Sequence, residues 1–108
     1  MNNVDIPSKT AGAATDLPVL AAGFAALAHP ARLRILCHLA RRDACCCREI
    51  VDTFELAQST VSQHLKVLVD AGLVHYRPEN RRSRYMVDRE AVARLEEQVS
   101  TFLSCCHV

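Results

Sequence analysis

Long apolar runs are missing from this sequence: none approaches the roughly 20 residues that a membrane-spanning helix needs, so no membrane partner is expected. An export signal is missing too. The cytoplasm is therefore the expected location, and because the cytosol keeps thiols reduced, the six cysteines do not read as a disulfide framework. Net charge is nearly absent, at +1 from 13 basic and 12 acidic residues. Nucleic-acid binding is not written in the overall charge and has to be looked for in its distribution. No Cys-x-x-Cys occurs, and no cysteine has an arginine six residues on, which removes the usual thiol oxidoreductase and phosphatase-like arrangements. The five histidines form no metal-hydrolase pattern. An enzyme is not expected.

What is present is half hydrophobic by composition, in 108 residues. That supports one compact domain with a modest core, for which burial in a symmetric homodimer would help. Residues 1–15 are small, polar and aperiodic, as in a flexible N-terminal tail, and the domain is expected over 16–108. Six cysteines in a reducing compartment are candidates for binding a soft ion or for redox sensing.

The stretch that organises the rest is 56–74, LAQSTVSQHLKVLVDAGLV. Val61, Leu65 and Leu68 recur at helical spacing and form one apolar stripe, leaving Gln58, Ser59, Ser62, Gln63 and Lys66 on the opposite face. That outward face is polar and mostly uncharged. Its hydroxyls and amides suit base edges in a major groove, and its lysine suits a phosphate. Gly72 stands where the periodicity stops, as a left-handed helix cap requires. Beyond it, 74–77 and 84–87 are two β-prone runs separated by PENRRS at 78–83, turn chemistry loaded with arginine. A helix that ends on glycine and runs into a basic hairpin predicts a winged helix-turn-helix: mainly α, with a β-hairpin wing.

Three helices are expected upstream and one downstream. Asp16 caps the first, with Pro18 in its opening turn and an apolar face of Leu17, Leu20, Phe24, Leu27 and Ala28. Pro30 opens the second, in which Leu33, Leu36, Cys37 and Ala40 keep helical spacing. Cys47, Ile50, Val51 and Phe54 make a short third helix, with Cys47 on its buried face. Asp88 caps the last, where Val92, Leu95, Val99, Phe102 and Leu103 form a long stripe ending at Cys105 and Cys106.

LAHPARLRIL at 27–36, QSTVSQHLKVLVDAGLV at 58–74 and the hairpin ending in RYMVD at 84–88 closely resemble the ArsR/SmtB family of metalloregulatory repressors. The resemblance implies a winged-helix homodimer, with first and last helices paired across the two-fold axis. It implies binding to a palindromic double-stranded operator and release by an inducer. By position, Gln58, Ser59, Thr60, Ser62, Gln63, His64 and Lys66 would face DNA, with Arg81, Arg82 and Arg84 on the wing. Ala57 departs from the family, which usually carries a capping Ser or Thr there.

The cysteines bear on the inducer, since thiolates select soft ions. Arsenic repressors of the family carry inducer thiols in a helix-start motif of the form ELCVCDL. Here the same place reads DACCCREI, so Cys46 matches the first thiol and Arg48 replaces the second, with Cys45 and Cys47 available to compensate. Cys105 and Cys106 resemble the adjacent pair that a subgroup of arsenic-responsive members carries at the end of the dimerisation helix. A trivalent arsenical is the expected inducer: arsenite or methylarsenite, with antimonite a relative in chemistry. The alternatives are a cadmium- or lead-type thiolate sensor, and a persulfide or redox sensor using Cys37 with a late cysteine of the last helix. The family's zinc pattern on that helix, Asp-x-His and a later His-x-x-Glu, is not met by Asp88, Glu90 and His107.

Overall fold

A computed structural model describes residues 16–107; the expected tail, 1–15, lies outside the described residues. Five helices and three strands follow in order: α1 (Leu17–Leu27), α2 (Pro30–Ala40), β1 (Cys45–Cys46), α3 (Cys47–Phe54), α4 (Gln58–Asp70), β2 (Val74–Glu79), β3 (Arg82–Val87) and α5 (Arg89–Cys106). The sheet is antiparallel, with β3 between β1 and β2. This is a winged helix-turn-helix, as the sequence predicts.

Local chemistry sets most of the boundaries. The Asp16 carboxylate accepts from the Val19 N–H at the start of α1, and Asp88 does the same for Ala91 at the start of α5. His29 caps α2 through Nδ1, which accepts from Ala31 N–H. The turn from α3 to α4 is only three residues long and is opened by Glu55 in the left-handed region, with φ 54°. At the end of α4, Gly72 takes φ +82°. There Leu73 N–H donates to Leu68 C=O and Gly72 N–H to Val69 C=O, the paired bonds that close a helix on a left-handed residue.

The core lies between α2, α3 and α4. Val61, Leu65 and Leu68 of α4 meet Ile35 and Leu39 of α2 and Ile50 of α3, all fully buried. Each such side chain contributes about 1.5–3 kcal/mol relative to remaining exposed.

Two expected faces are rotated. On α2 the inward residues are Ile35 and Leu39, whereas Leu33, Cys37 and Ala40 are exposed. The helix carries apolar residues on two sides, and the side that meets the α4 stripe is the one that is buried. On α1 the inward residues are Leu20, Gly23 and Ala26, whereas Phe24 stays 42% exposed. Gly23 explains this: a Cβ there would stand 2.8 Å from Leu95 Cδ1 of α5, so α1 leaves room for the Leu95 side chain with a glycine and Phe24 turns outward.

The hairpin is longer than expected. Glu79 pairs with Arg82, so only Asn80 and Arg81 turn, with Asn80 at φ 57°. Pro78 belongs to β2, which is an edge strand and tolerates a residue without an N–H.

Candidate nucleic-acid interface and thiol clusters

The outward face of α4 carries Gln58, Ser59, Ser62, Gln63 and Lys66, all exposed. Lys66 Nζ lies 3.0 Å from Asp70 Oδ2, but both side chains are largely in solvent, and an exposed pair of this kind holds weakly. It leaves the lysine free to exchange Asp70 for a phosphate. Thr60 and His64 flank the face and are half-buried. The His64 ring packs at a tilt against His29, 4.6 Å between centroids. Its pKa is lowered, first by burial and then by the His29 and Arg32 charges, so His64 joins α4 to the start of α2 as much as it faces outward.

Beside α4 stands the wing. Arg81 and Arg82 are exposed at its tip, while Arg84 Nε lies 3.3 Å from Glu79 Oε1 across the hairpin and is partly covered. Tyr76 and Tyr85 pack at a tilt, 5.4 Å between centroids, on the sheet, and Ser83 Oγ donates to the Tyr76 hydroxyl at 3.3 Å. The result is a firm hairpin with two free guanidinium groups at its end.

The three consecutive cysteines are placed differently by the short strand β1. Cys45 pairs with Tyr85 and Cys46 with Arg84. Cys45 is fully buried, and burial, with Glu49 next, pushes its thiol pKa up. It packs as a core residue and is not presented to a ligand in this fold. Cys46 is the N-cap of α3, 8% exposed, and its N–H donates to Glu49 Oε1 at 2.8 Å. That bond is the main reason the Glu49 pKa is lowered. Cys47 packs against the margin of the core yet is half-open, and its Sγ lies 3.7 Å from Ser62 Oγ on the outward face of α4.

The C-terminal thiols lie in the last turn of α5, Cys105 half-buried and Cys106 exposed. Among the described residues no three His, Cys, Asp or Glu side chains converge in a metal-holding cluster, so one chain does not bring 105–106 and 45–47 together. Cys37 opens on a groove where its neighbours on α5 include Val92, Ala93 and Glu96. Cys105 is nine residues past Glu96, about 13 Å further along the helix at 1.5 Å per residue.

Sequence reasoning missed β1, the contact of Cys47 with Ser62, and the position of Arg48 beside the wing. A two-residue strand carries no periodicity, and the other two are tertiary contacts without a local signal.

Short helices on a small sheet, a polar face on the helix after a tight turn and a basic hairpin beside it define a winged-helix DNA-binding protein. The model of the family described as "Bacterial regulatory protein, arsR family" matches residues 29–76. The chain is 36% identical over 84 residues to the arsenical resistance operon repressor of Bacillus subtilis, covering 77% of this chain and 75% of that one. It is 35% identical over 80 residues to a transcriptional repressor SmtB homolog of Synechocystis, covering 74% of this chain and 60% of the relative. Among solved structures, the homodimeric winged helix-turn-helix DNA-binding domain of a possible ArsR-family regulator from Mycobacterium bovis aligns with a TM-score of 0.68 at 29% identity, over 94% of this chain and 91% of that one. The chain belongs to the ArsR family. It is a DNA-binding transcriptional regulator and not an enzyme.

Proposed function

We propose that this chain is a homodimeric repressor that binds a palindromic operator through α4 and the wing and releases it when a trivalent arsenical binds Cys105 and Cys106. The observation that carries the reading is the position of that pair: two accessible thiols end α5, a helix with no fully buried residue in the single chain. Leu17, Phe24 and Leu103 are also left 40–50% exposed on α1 and α5, which supports a partner chain covering both helices. At a fraying helix end, adjacent side chains that would diverge by about 100° are free to close on one ion. The relative in Bacillus subtilis is named for arsenical resistance, which agrees with the same inducer here. The redox alternative is the weaker one, because Cys37 faces Val92, Ala93 and Glu96 on α5 and, among the described residues, no second thiol lines that groove. The cadmium alternative differs in the ion only, and the same titration separates it.

The test is release of labelled operator DNA on titration with arsenite, methylarsenite, antimonite, cadmium and a persulfide donor. Trivalent arsenic is expected to release the parent protein, and the variant C105S/C106S should keep operator affinity and lose the response. Release of that variant by arsenic at the parent's concentrations would move the sensor to Cys46 and Cys47 at the start of α3.

A further inference from the structure

A cleft of about 530 Å³ separates the start of α3 from the start of α4 and the tip of the wing, and Arg48, Arg81 and Arg82 all open on it. None of these guanidinium groups is in an ion pair among the described residues. Two acids share the rim, Glu49 and Asp52, but Glu49 is already taken by the Cys46 N–H. The cleft therefore presents three guanidinium groups without an ion pair against two carboxylates, one of which, Glu49, turns an oxygen to a backbone N–H, and the balance is one positive charge.

The start of α4 adds donors of another kind. Gln58, the first residue of α4, borders the same cleft. Ala57 before it has no side chain that accepts a hydrogen bond, and the first N–H groups of α4 have no side-chain cap. Uncapped N–H groups at a helix start attract an anion. Arginine forks match the oxygens of a phosphate. A phosphodiester is the anion that would lie between a recognition helix and a wing.

We propose that this cleft receives one phosphate of the operator backbone and that Arg48 binds it together with Arg81 and Arg82. Arg48 is thus a DNA contact contributed by α3, outside both the recognition helix and the wing. The proposal rests on the reading of α4 and the wing as the DNA-binding face. It also places the thiol of Cys47, which lines the same cleft, beneath the bound backbone.

Operator affinity of the parent, R48A, R48K and R82A, measured across a salt series with an unrelated duplex alongside, tests it. R48A is expected to weaken binding to both duplexes and to make the slope of log affinity against log salt shallower, by at most about 0.9, the value for one whole phosphate contact, because Arg81 and Arg82 share the same phosphate. R48K, which keeps the charge, should restore most of the slope. Equal melting temperatures establish that the exposed substitutions leave the fold intact. An unchanged slope for R48A beside a flattened slope for R82A would overturn the cleft while leaving the wing in place. An unchanged slope for both would remove the DNA reading beneath it. Alkylation by iodoacetamide gives a second measurement: bound operator should slow the labelling of Cys47 and leave Cys106 at its free rate, and equal labelling of Cys47 with and without DNA would sink the proposal.

Discussion

Three adjacent cysteines end in three different environments, and the difference decides what each can do. Cys45 is sealed in the core, Cys46 caps a helix, and Cys47 opens on the cleft beside Ser62. Reading them as equivalent ligands would miss that only thiols able to become thiolates bind soft ions. Ala57 is informative in the same way. It ends the turn before α4 with extended backbone, φ −63° and ψ 146°, and leaves the helix start without a side-chain acceptor. Serine fits that backbone and would cap the helix. Ala57→Ser is therefore expected to raise stability by about 1 kcal/mol, read as a higher melting temperature. No gain would mean that another group already satisfies those N–H donors.

At the scale of elements, the proposed reading divides the work of DNA recognition between α4 and the wing. The face of α4 offers hydroxyls and amides, which read base edges, and the wing tip offers guanidinium groups, which read charge. Changing Ser62 or Gln63 to Ala should shift base preference in a selection of operator variants at nearly constant salt slope. Changing Arg82 to Ala should do the reverse, weakening all duplexes alike. A shift of base preference from the wing change alone would reverse the assignment.

These two elements were also the most legible in the sequence, for a physical reason. The α4 stripe obeys one period over 13 residues and ends on a glycine that its backbone requires, while the hairpin is marked by β-prone runs around a basic turn. The faces of α1 and α2 were read rightly at Leu20, Leu27 and Leu36 and wrongly at Phe24, Leu33, Cys37 and Ala40, because both helices are apolar on more than one side and only the partner element decides which side is buried. Leu33 and Phe24 satisfy the period yet stand in solvent, while Gly23 and Ile35 are inward because Leu95 and the α4 stripe lie opposite. The cysteines were legible as residue types, and their role as ligands is the proposal above. Their separation within one chain depends on chain reversal through the sheet, which spacing does not encode.

At the scale of the molecule, the single chain is elongated, 49 × 25 × 19 Å with a radius of gyration of 16.1 Å, against about 13 Å for a compact domain of 100 residues. Along α5, Val99 and Phe102 are half-buried and Leu103 is half-exposed, and none of them belongs to the core cluster among the described residues. If a second copy covers α1 and α5, operator binding gains from two linked half-sites, worth on the order of 10²–10⁴ in affinity. Phe24→Glu puts a charge on that exposed surface of α1 without changing α4, the wing or a cysteine. It should give a folded monomer by sedimentation, with operator affinity lower by about that factor. The adjacent thiols belong to one chain, so the monomer should still bind one trivalent arsenic per chain, more weakly as pH falls because the ligands must be thiolates. An inducer shifts an equilibrium only through its different affinity for two states. In the dimer, then, operator DNA should weaken arsenic binding by the same factor as arsenic weakens DNA binding. In the monomer that factor should shrink toward one, because the thiols at the end of α5 reach the DNA face through the paired helices. Full coupling retained by the Phe24→Glu monomer would mean that the signal runs inside one chain, from Cys46 and Cys47 to Ser62.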